Sequence, residues 1–227
     1  MIDSIVIGVS DRERAGSFYF DLLGASESDV ELIEVSGEPR DGHPERGLKH
    51  VAWNVESVDR EAERLRAAGV RFAVEPKNGR GVERLAFLLD PDGTWLELVQ
   101  GYRQYHRVIS PELAAAERAR DRTPPALDHV GIGVADLEQT LAFYETFGIC
   151  PIGEIHFGGS AGAMATHLDA GRISLEIFSG GAPDSPPPRT EPLRGPGLRS
   201  MRLSQSHETP PSVEDPDGVR LHVSPGA

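Results

Sequence analysis

Two histidine–glutamate pairs in this chain share one spacing: His50 precedes Glu97 by 47 residues, and His129 precedes Glu176 by the same 47. Each histidine sits near the start of a short apolar run, KHVAWNV or DHVGIGV, and each glutamate is flanked by apolar neighbours, Leu-Glu-Leu or Leu-Glu-Ile. Neutral imidazole and carboxylate are ligands for Zn, Ni, Mn, Co or Fe(II). Strand side chains alternate between faces, so Glu176 shares a face with Ser174 and Phe178 while Leu175 and Ile177 take the other. Two strands of one curved sheet can bring such a His and such a Glu to a common ion. A further position draws notice because DPDGTWLELV (90–99) is nearly repeated as DPDGVRLHV (215–223), with Glu97 opposite His222. One ligand type has replaced another, which marks either a changed site or a decayed one.

Plain structural roles compete at every position. A lone His50 or His129 also reads as a strand residue hydrogen-bonded in an inactive cleft. Glu97 reads as the solvent side of an edge strand, and His222 lies close to a chain end, where strands fray. His156 and His167 read as ordinary strand residues ahead of pocket-lining ones. His43, His106 and His207 fall in loops or linkers, as do Tyr102 and Tyr105, whose reach into a cleft the sequence does not decide. The DPDG stretches resemble the start of a calcium loop but lack its later ligand positions and read as turns.

The elements that position these residues follow from internal repetition. IDSIVIGVSDRERAGSFYF aligns without gaps to LDHVGIGVADLEQTLAFYE at an offset of 125 residues, which places Ser4 opposite His129; the DPDG pair has the same offset. Each half is itself repetitive, since LKHVAWNVESVDREAERL resembles LDHVGIGVADLEQTLAFY. Both read as a strand followed by an amphipathic helix. Val58, Ala62, Leu65 and Ala68 fall at helical spacing, Ser57 and Asp136 are N-caps, and Gly69 closes its helix. Strand candidates follow: VRFAVEP, ERLAFLLD and TWLELVQ in one unit, ICPIGEIHF, GAMATHLDA and RISLEIFS in the next. The fold class predicted is α+β, with four tandem βαβββ units forming two half-barrel domains. The first unit lacks room for its middle strands and the fourth for its helix. Domain boundaries fall at 1–103 and 126–227, joined by a linker at 104–125 in which Pro111, after Ser110, opens a short helix. APDSPPPRTEPLRGPG reads as an extended, exposed loop.

The chain has 227 residues and a net charge of −13. That charge argues against nucleic acid and against an anionic membrane surface as partners. The single cysteine, Cys150, excludes an intrachain disulfide framework and suits a reducing cytosol. With no apolar run of membrane-spanning length and no signal peptide at Met1-Ile2-Asp3, the expectation is a cytoplasmic protein. Bare edges on the truncated units call for a covering partner, so a homodimer is expected.

The stretches DHVGIGVADLEQTLAFYETFG, KHVAWNVESVDREAERLRAAGVRF and FLLDPDGTWLELVQ resemble the vicinal oxygen chelate superfamily. It includes glyoxalase I, methylmalonyl-CoA epimerase, extradiol ring-cleaving dioxygenases, and fosfomycin and bleomycin resistance proteins. The resemblance covers nearly all of the chain outside the linkers. It implies metal ligands at the start of the first strand and on the last strand of each unit. Carried over, these are Ser4, Glu31, His50 and Glu97 in the first half, and His129, Glu176, Ser200 and His222 in the second. Glu34 shares the short strand of Glu31, and either can face inward. Grouped by half, His129, Glu176 and His222 form a two-histidine, one-carboxylate set suited to Fe(II) and oxygen activation. Glu31, His50 and Glu97 form a harder, second or vestigial set.

The function this implies is a metal-dependent enzyme acting on a small oxygenated substrate, catechol- or enol-like, with Fe(II) dioxygenation ahead. One alternative is a glyoxalase- or epimerase-like lyase or isomerase, in which Glu97 or Glu176 moves a proton beside a metal-stabilised enolate. A metal-free binding or resistance protein is the other.

Overall fold

Four helices of this chain begin in the same way, each with a side-chain oxygen accepting from a backbone N–H three residues on. Asp11 accepts from Arg14 at 3.0 Å, Ser57 from Arg60 at 3.4 Å, Ser110 from Leu113 at 3.2 Å and Asp136 from Gln139 at 3.1 Å. This N-capping satisfies an amide that the first helical turn leaves without an intrahelical acceptor. It fixes where each strand gives way to its helix. The computed structural model describes residues 1–38, 42, 44–157, 164–179, 195–205 and 211–225. His43, His207 and most of the proline-rich stretch lie outside the described residues.

The first unit comprises β1 (Ile2–Val9), α1 (Arg12–Gly16, continued by a π-helical stretch Ser17–Leu22) and β2 (Val30–Glu34). The second is complete: β3 (Gly47–Asn54), α2 (Val58–Ala67), β4 (Arg71–Asn78), β5 (Arg84–Leu89) and β6 (Trp95–Gln100). Between the second and third units lie β7 (Arg107–Val108) and α3 (Pro111–Arg118). The third unit is also complete, with β8 (Ala126–Gly133), α4 (Leu137–Glu145), β9 (Cys150–His156), β10 (Met164–Asp169) and β11 (Ser174–Ser179). The fourth contributes β12 (Gly197–Gln205), β13 (Ser212–Glu214) and β14 (Arg220–Pro225). Helix α2 buries Val58, Ala62 and Leu65 as its spacing predicts, whereas Ala68 ends the helix exposed. Among the described residues no helix is long and apolar enough to cross a membrane.

The strands form two open sheets, neither closed into a barrel. The larger runs β4-β5-β6-β3-β8-β11-β10-β9-β7, and the smaller β13-β14-β12-β1-β2. In each, two units join through their first strands, antiparallel: β3 with β8, and β1 with β12. The second unit therefore pairs with the third and the first with the fourth, so each sheet takes strands from both halves of the chain. A core that includes Ile5, Ile7, Trp53, Leu65, Leu96, Ile132, Leu175 and Leu221 lies beneath them.

The repeated DPDG does the same work twice. Asp90 Oδ1 accepts from the backbone of Asp92 and Thr94 at 2.9 and 2.7 Å, and Asp215 Oδ1 from Asp217 and Val219 at 2.9 and 2.8 Å. The next glycines, Gly93 (φ 88°) and Gly218 (φ 77°), take the left-handed conformation that closes each turn. Each turn then reaches the preceding unit. Tyr19 Oη–H donates to Asp90 at 2.8 Å and Tyr144 Oη–H to Asp215 at 3.0 Å, while Asp92 and Asp217 accept from the backbone of Ser10 and Ala135.

Candidate metal centre

Four donor side chains meet on four neighbouring strands of the larger sheet. Glu97 comes from β6, His50 from β3, His129 from β8 and Glu176 from β11. The register places them: Ala52 pairs with both Glu97 and His129, and Gly131 with both His50 and Glu176. His129 Nε2 lies 3.1 Å from Glu97 Oε2 and 3.1 Å from Glu176 Oε2. His50 Nε2 lies 3.3 and 3.4 Å from the same two oxygens, and the two Nε2 atoms are 3.3 Å apart. One donor atom from each residue falls within 4.8 Å of all the others, and all four residues are buried.

Small neighbours make room for the rings. A Cβ on Gly131 would stand 2.3 Å from Cε1 of His50, so that imidazole occupies the space a side chain would fill. Across the strand pair, His129 faces Ala52. The donors open into a cavity of about 450 Å³, lined on its apolar side by Phe87, Val99, Ile155, Phe157 and Phe178 and elsewhere by Lys77, Arg80 and His167.

Electrostatics at the cluster favour positive charge beside the two carboxylates. Burial alone would raise Glu97 and Glu176, but contacts with the two imidazoles outweigh it and hold both carboxyls below their ordinary range. Burial would likewise lower His50 and His129, yet the facing carboxylates raise both. The donor set tests well against a divalent ion. Separations of 3.1–3.4 Å are those of neighbouring donors in a coordination shell about 2.1 Å in radius. His129 Nδ1 also meets the carboxylate of Asp128 at 2.8 Å, the outer partner that a ligating imidazole ordinarily has.

Glu31 and His222 are not brought to these four. They lie on β2 and β14 of the smaller sheet with Ser4 and Ser200, at the corresponding places of the other unit pair. The cluster thus gathers candidate ligands from both halves rather than from one half. In the smaller sheet the sizes are exchanged: Val6 faces Ser200 where Gly131 faces His50, and Arg202 faces Ser4 where Ala52 faces His129. Arg202 Nε donates to Glu31 Oε2, and that hydrogen bond holds Glu31 below its ordinary range. Burial, reinforced by the charges of Arg202 and Arg220, lowers His222. A guanidinium thus stands beside the carboxylate. Glu34 is exposed.

Several residues around the centre were not singled out by spacing. His167 on β10 is opposite Glu176 in the ladder, with Nε2 3.5 Å from Glu176 Oε1, and burial beside Arg103 lowers it to about 3. Arg103, Tyr105 and Glu117 come from the segment between β6 and β8, which carries no period from which contacts can be read. Asp128 is the one with a local signal, as the acidic residue directly before a candidate ligand histidine. His156 stands apart from the donors, stacked on His106 with ring centroids 5.6 Å apart.

Paired βαβββ units, joined through their first strands and each supplying one His and one Glu to a buried cluster, define a vicinal-oxygen-chelate type of protein. The family model of the Glyoxalase/Bleomycin resistance protein/Dioxygenase superfamily matches residues 1–98 and 126–207. The chain belongs to that superfamily. Lactoylglutathione lyase of Schizosaccharomyces pombe is 30% identical over 142 residues, covering 63% of this chain and 42% of that protein. Glyoxalase I of Saccharomyces cerevisiae is 28% identical over 102 residues, covering 45% and 28% respectively. The matches thus span less than half the length of these curated relatives. Among solved structures, glyoxalase I from Zea mays superposes with a TM-score of 0.72 at 18% identity, covering 98% of this chain and 91% of that one. A putative dioxygenase from Bacillus subtilis gives 0.61 at 12% identity, covering 99% and 86%. Both likenesses are of fold.

Proposed function

We propose that this protein is a metal-dependent lyase or isomerase of the glyoxalase type, acting on a small oxygenated substrate in the cavity above His50, Glu97, His129 and Glu176. The carrying observation is the number of converging donors. Two histidines and two carboxylates leave fewer free positions on an ion than the two-histidine, one-carboxylate set associated with oxygen activation. That supports a Zn, Ni, Co or Mn centre over an Fe(II) dioxygenase. The relatives named lactoylglutathione lyase and glyoxalase I support the same reading.

A divalent ion bound there supplies Lewis-acid polarisation of substrate oxygens. The chain does the rest. Glu97 and Glu176 each place a carboxylate oxygen at the cavity floor, where one can take a proton from a carbon beside a carbonyl and return it to the neighbouring carbon. Phe87, Phe157 and Phe178 keep water from the reacting carbon, and Lys77 and Arg80 offer positive charge to an anionic substrate group.

The test is metal content together with two activities. Purified protein is expected to hold about one divalent ion per chain, to lose it in His50→Ala and His129→Ala, and to keep it in His222→Ala. Metal-loaded protein should form lactoylglutathione or a related thioester without taking up oxygen. Oxygen uptake with bound iron would overturn the reading in favour of dioxygenation. Failure to bind any metal under loading would leave a binding protein.

A further inference from the structure

From Arg103, just past β6, to Asp128 in β8 the chain buries a set of charges that a connection has no need of. Arg103, Glu117 and Asp128 have side chains 2%, 4% and 1% exposed. Arg103 Nη1 donates to Glu117 Oε1 at 2.9 Å and Nη2 donates to Asp128 Oδ1. Glu117, on α3, also accepts from Tyr105 Oη and from Ser174 Oγ, both at 2.7 Å. Arg122 closes the set by donating to Asp128 Oδ2 at 2.6 Å. Removing three charges from water is costly, and an apolar anchor of similar size would hold a linker as well or better. The set ends at His129, whose Nδ1 is 2.8 Å from Asp128 Oδ1 and 2.7 Å from Arg103 Nη2.

We infer that the segment connecting β6 to β8 is a working part of the metal centre: Arg103, braced by Glu117, orients Asp128, and Asp128 fixes His129 with Nδ1 protonated and the Nε2 lone pair turned to the ion. The inference rests on the metal-centre reading above. Guanidinium only donates and carboxylate only accepts, so an unprotonated Nδ1 would set its lone pair against Asp128 Oδ1 at 2.8 Å, whereas a protonated one lets that oxygen take hydrogens from both His129 and Arg103, whose Nη2 stands beside Nδ1 as the second donor to the same atom. The ring hydrogen then sits on Nδ1, and Nε2, facing Glu97 and Glu176, is free to ligate. Arg103, Glu117 and Asp128 are positioning residues, since they act through His129.

The experiment measures Zn(II) affinity by chelator competition, the visible spectrum of the Co(II)-loaded protein, and the Tm of metal-free protein. The variants are Asp128→Asn, Arg103→Lys, their double, and Asp169→Asn as a control. Arg103→Lys keeps the charge but loses the planar fork that bridges two carboxylates. Zn(II) binding is expected to weaken roughly 10- to 100-fold in each of the first two, with altered Co(II) bands. The double should be no worse than the weaker single, because the residues act as one unit. Asp169 holds Arg120 without touching His129, so Asp169→Asn should lower Tm at parental Zn(II) affinity. Parental affinity and spectra in Asp128→Asn and Arg103→Lys would overturn the inference. So would an equal loss in Asp169→Asn, because docking of the linker alone would then suffice. If Asp128→Asn does not fold, Arg103→Lys decides alone. A parent that takes up no Zn(II) sinks the metal-centre reading instead, which separates the two failures.

Discussion

His50 and Gly131 share one space: a methyl group on Gly131 would meet the imidazole at 2.3 Å from Cε1 and 2.7 Å from Nε2. The ring is 1% exposed and cannot step aside without leaving the donor cluster. Gly131→Ala is therefore expected to weaken Zn(II) binding on the order of tenfold or more and to cost about 1–3 kcal/mol of stability from overpacking. Chelator competition and denaturant unfolding check the two effects separately, and parental metal affinity would show that the ring has another place to go. At this scale the sequence was informative about types and silent about partners. The 47-residue spacing exposed His50 with Glu97 and His129 with Glu176, because those units are complete and keep their internal distances. That all four serve one cluster depends on β3 pairing with β8, a contact between segments about 80 residues apart that no local spacing encodes. Arg103 and Glu117 were hidden for a similar reason, lying in an aperiodic segment.

At the scale of elements, the caps and the duplicated turns were legible because their chemistry is local: an aspartate or serine acting on amides two to four residues on. The outward half of each turn was not, since Tyr19 and Tyr144 each lie 71 positions from their aspartates. Tyr144→Phe leaves one oxygen of buried Asp215 without its donor and is expected to cost about 1–3 kcal/mol, read by denaturant unfolding. Asp215 also carries a pH dependence. Burial raises it from the ordinary 3.8 to about 6 against its three hydrogen bonds. Its protonated form is thus favoured by the fold, and the stability it contributes is full below about pH 4 and lost as pH rises through about 6. In metal-free protein, Asp215→Asn should therefore gain on the parent as pH goes from 4 to 7, whatever the substitution costs at pH 4. A difference that stays constant across that range would show that the carboxyl ionises without penalty.

For the whole molecule, the four units close into a ring held by two kinds of joint. First-strand pairs join the second unit to the third and the fourth to the first, while the DPDG turns tie the second to the first and the fourth to the third. That arrangement gives two equivalent strand-pair positions, and among the described residues the donor cluster stands at one of them. Repetition made the ring's parts readable, but truncation of the first and fourth units removed the spacing that would have shown which ligands belonged together. In the smaller sheet the loss is built in twice over: both histidines of the strand pair are serines, and bulk has moved to the residues facing them, Val6 and Arg202. His222 thus stands where Glu97 stands in the other strand pair, opposite Arg202, whose guanidinium holds Glu31. If the two strand pairs differ only in these side chains, a donor cluster can be rebuilt on the second. A chain carrying Ser4→His, Val6→Gly, Ser200→His, Arg202→Ala and His222→Glu, with Glu31 retained, is expected to bind about two Zn(II) ions where the parent binds about one, as read by metal analysis after dialysis. Ser4→His with Ser200→His alone should stay at the parental value, because Val6 takes the ring's space and Arg202 keeps Glu31. A second ion in that simpler variant would show that the missing histidines alone account for the loss, and no second ion in the full rebuild would place the cause in the shortened units.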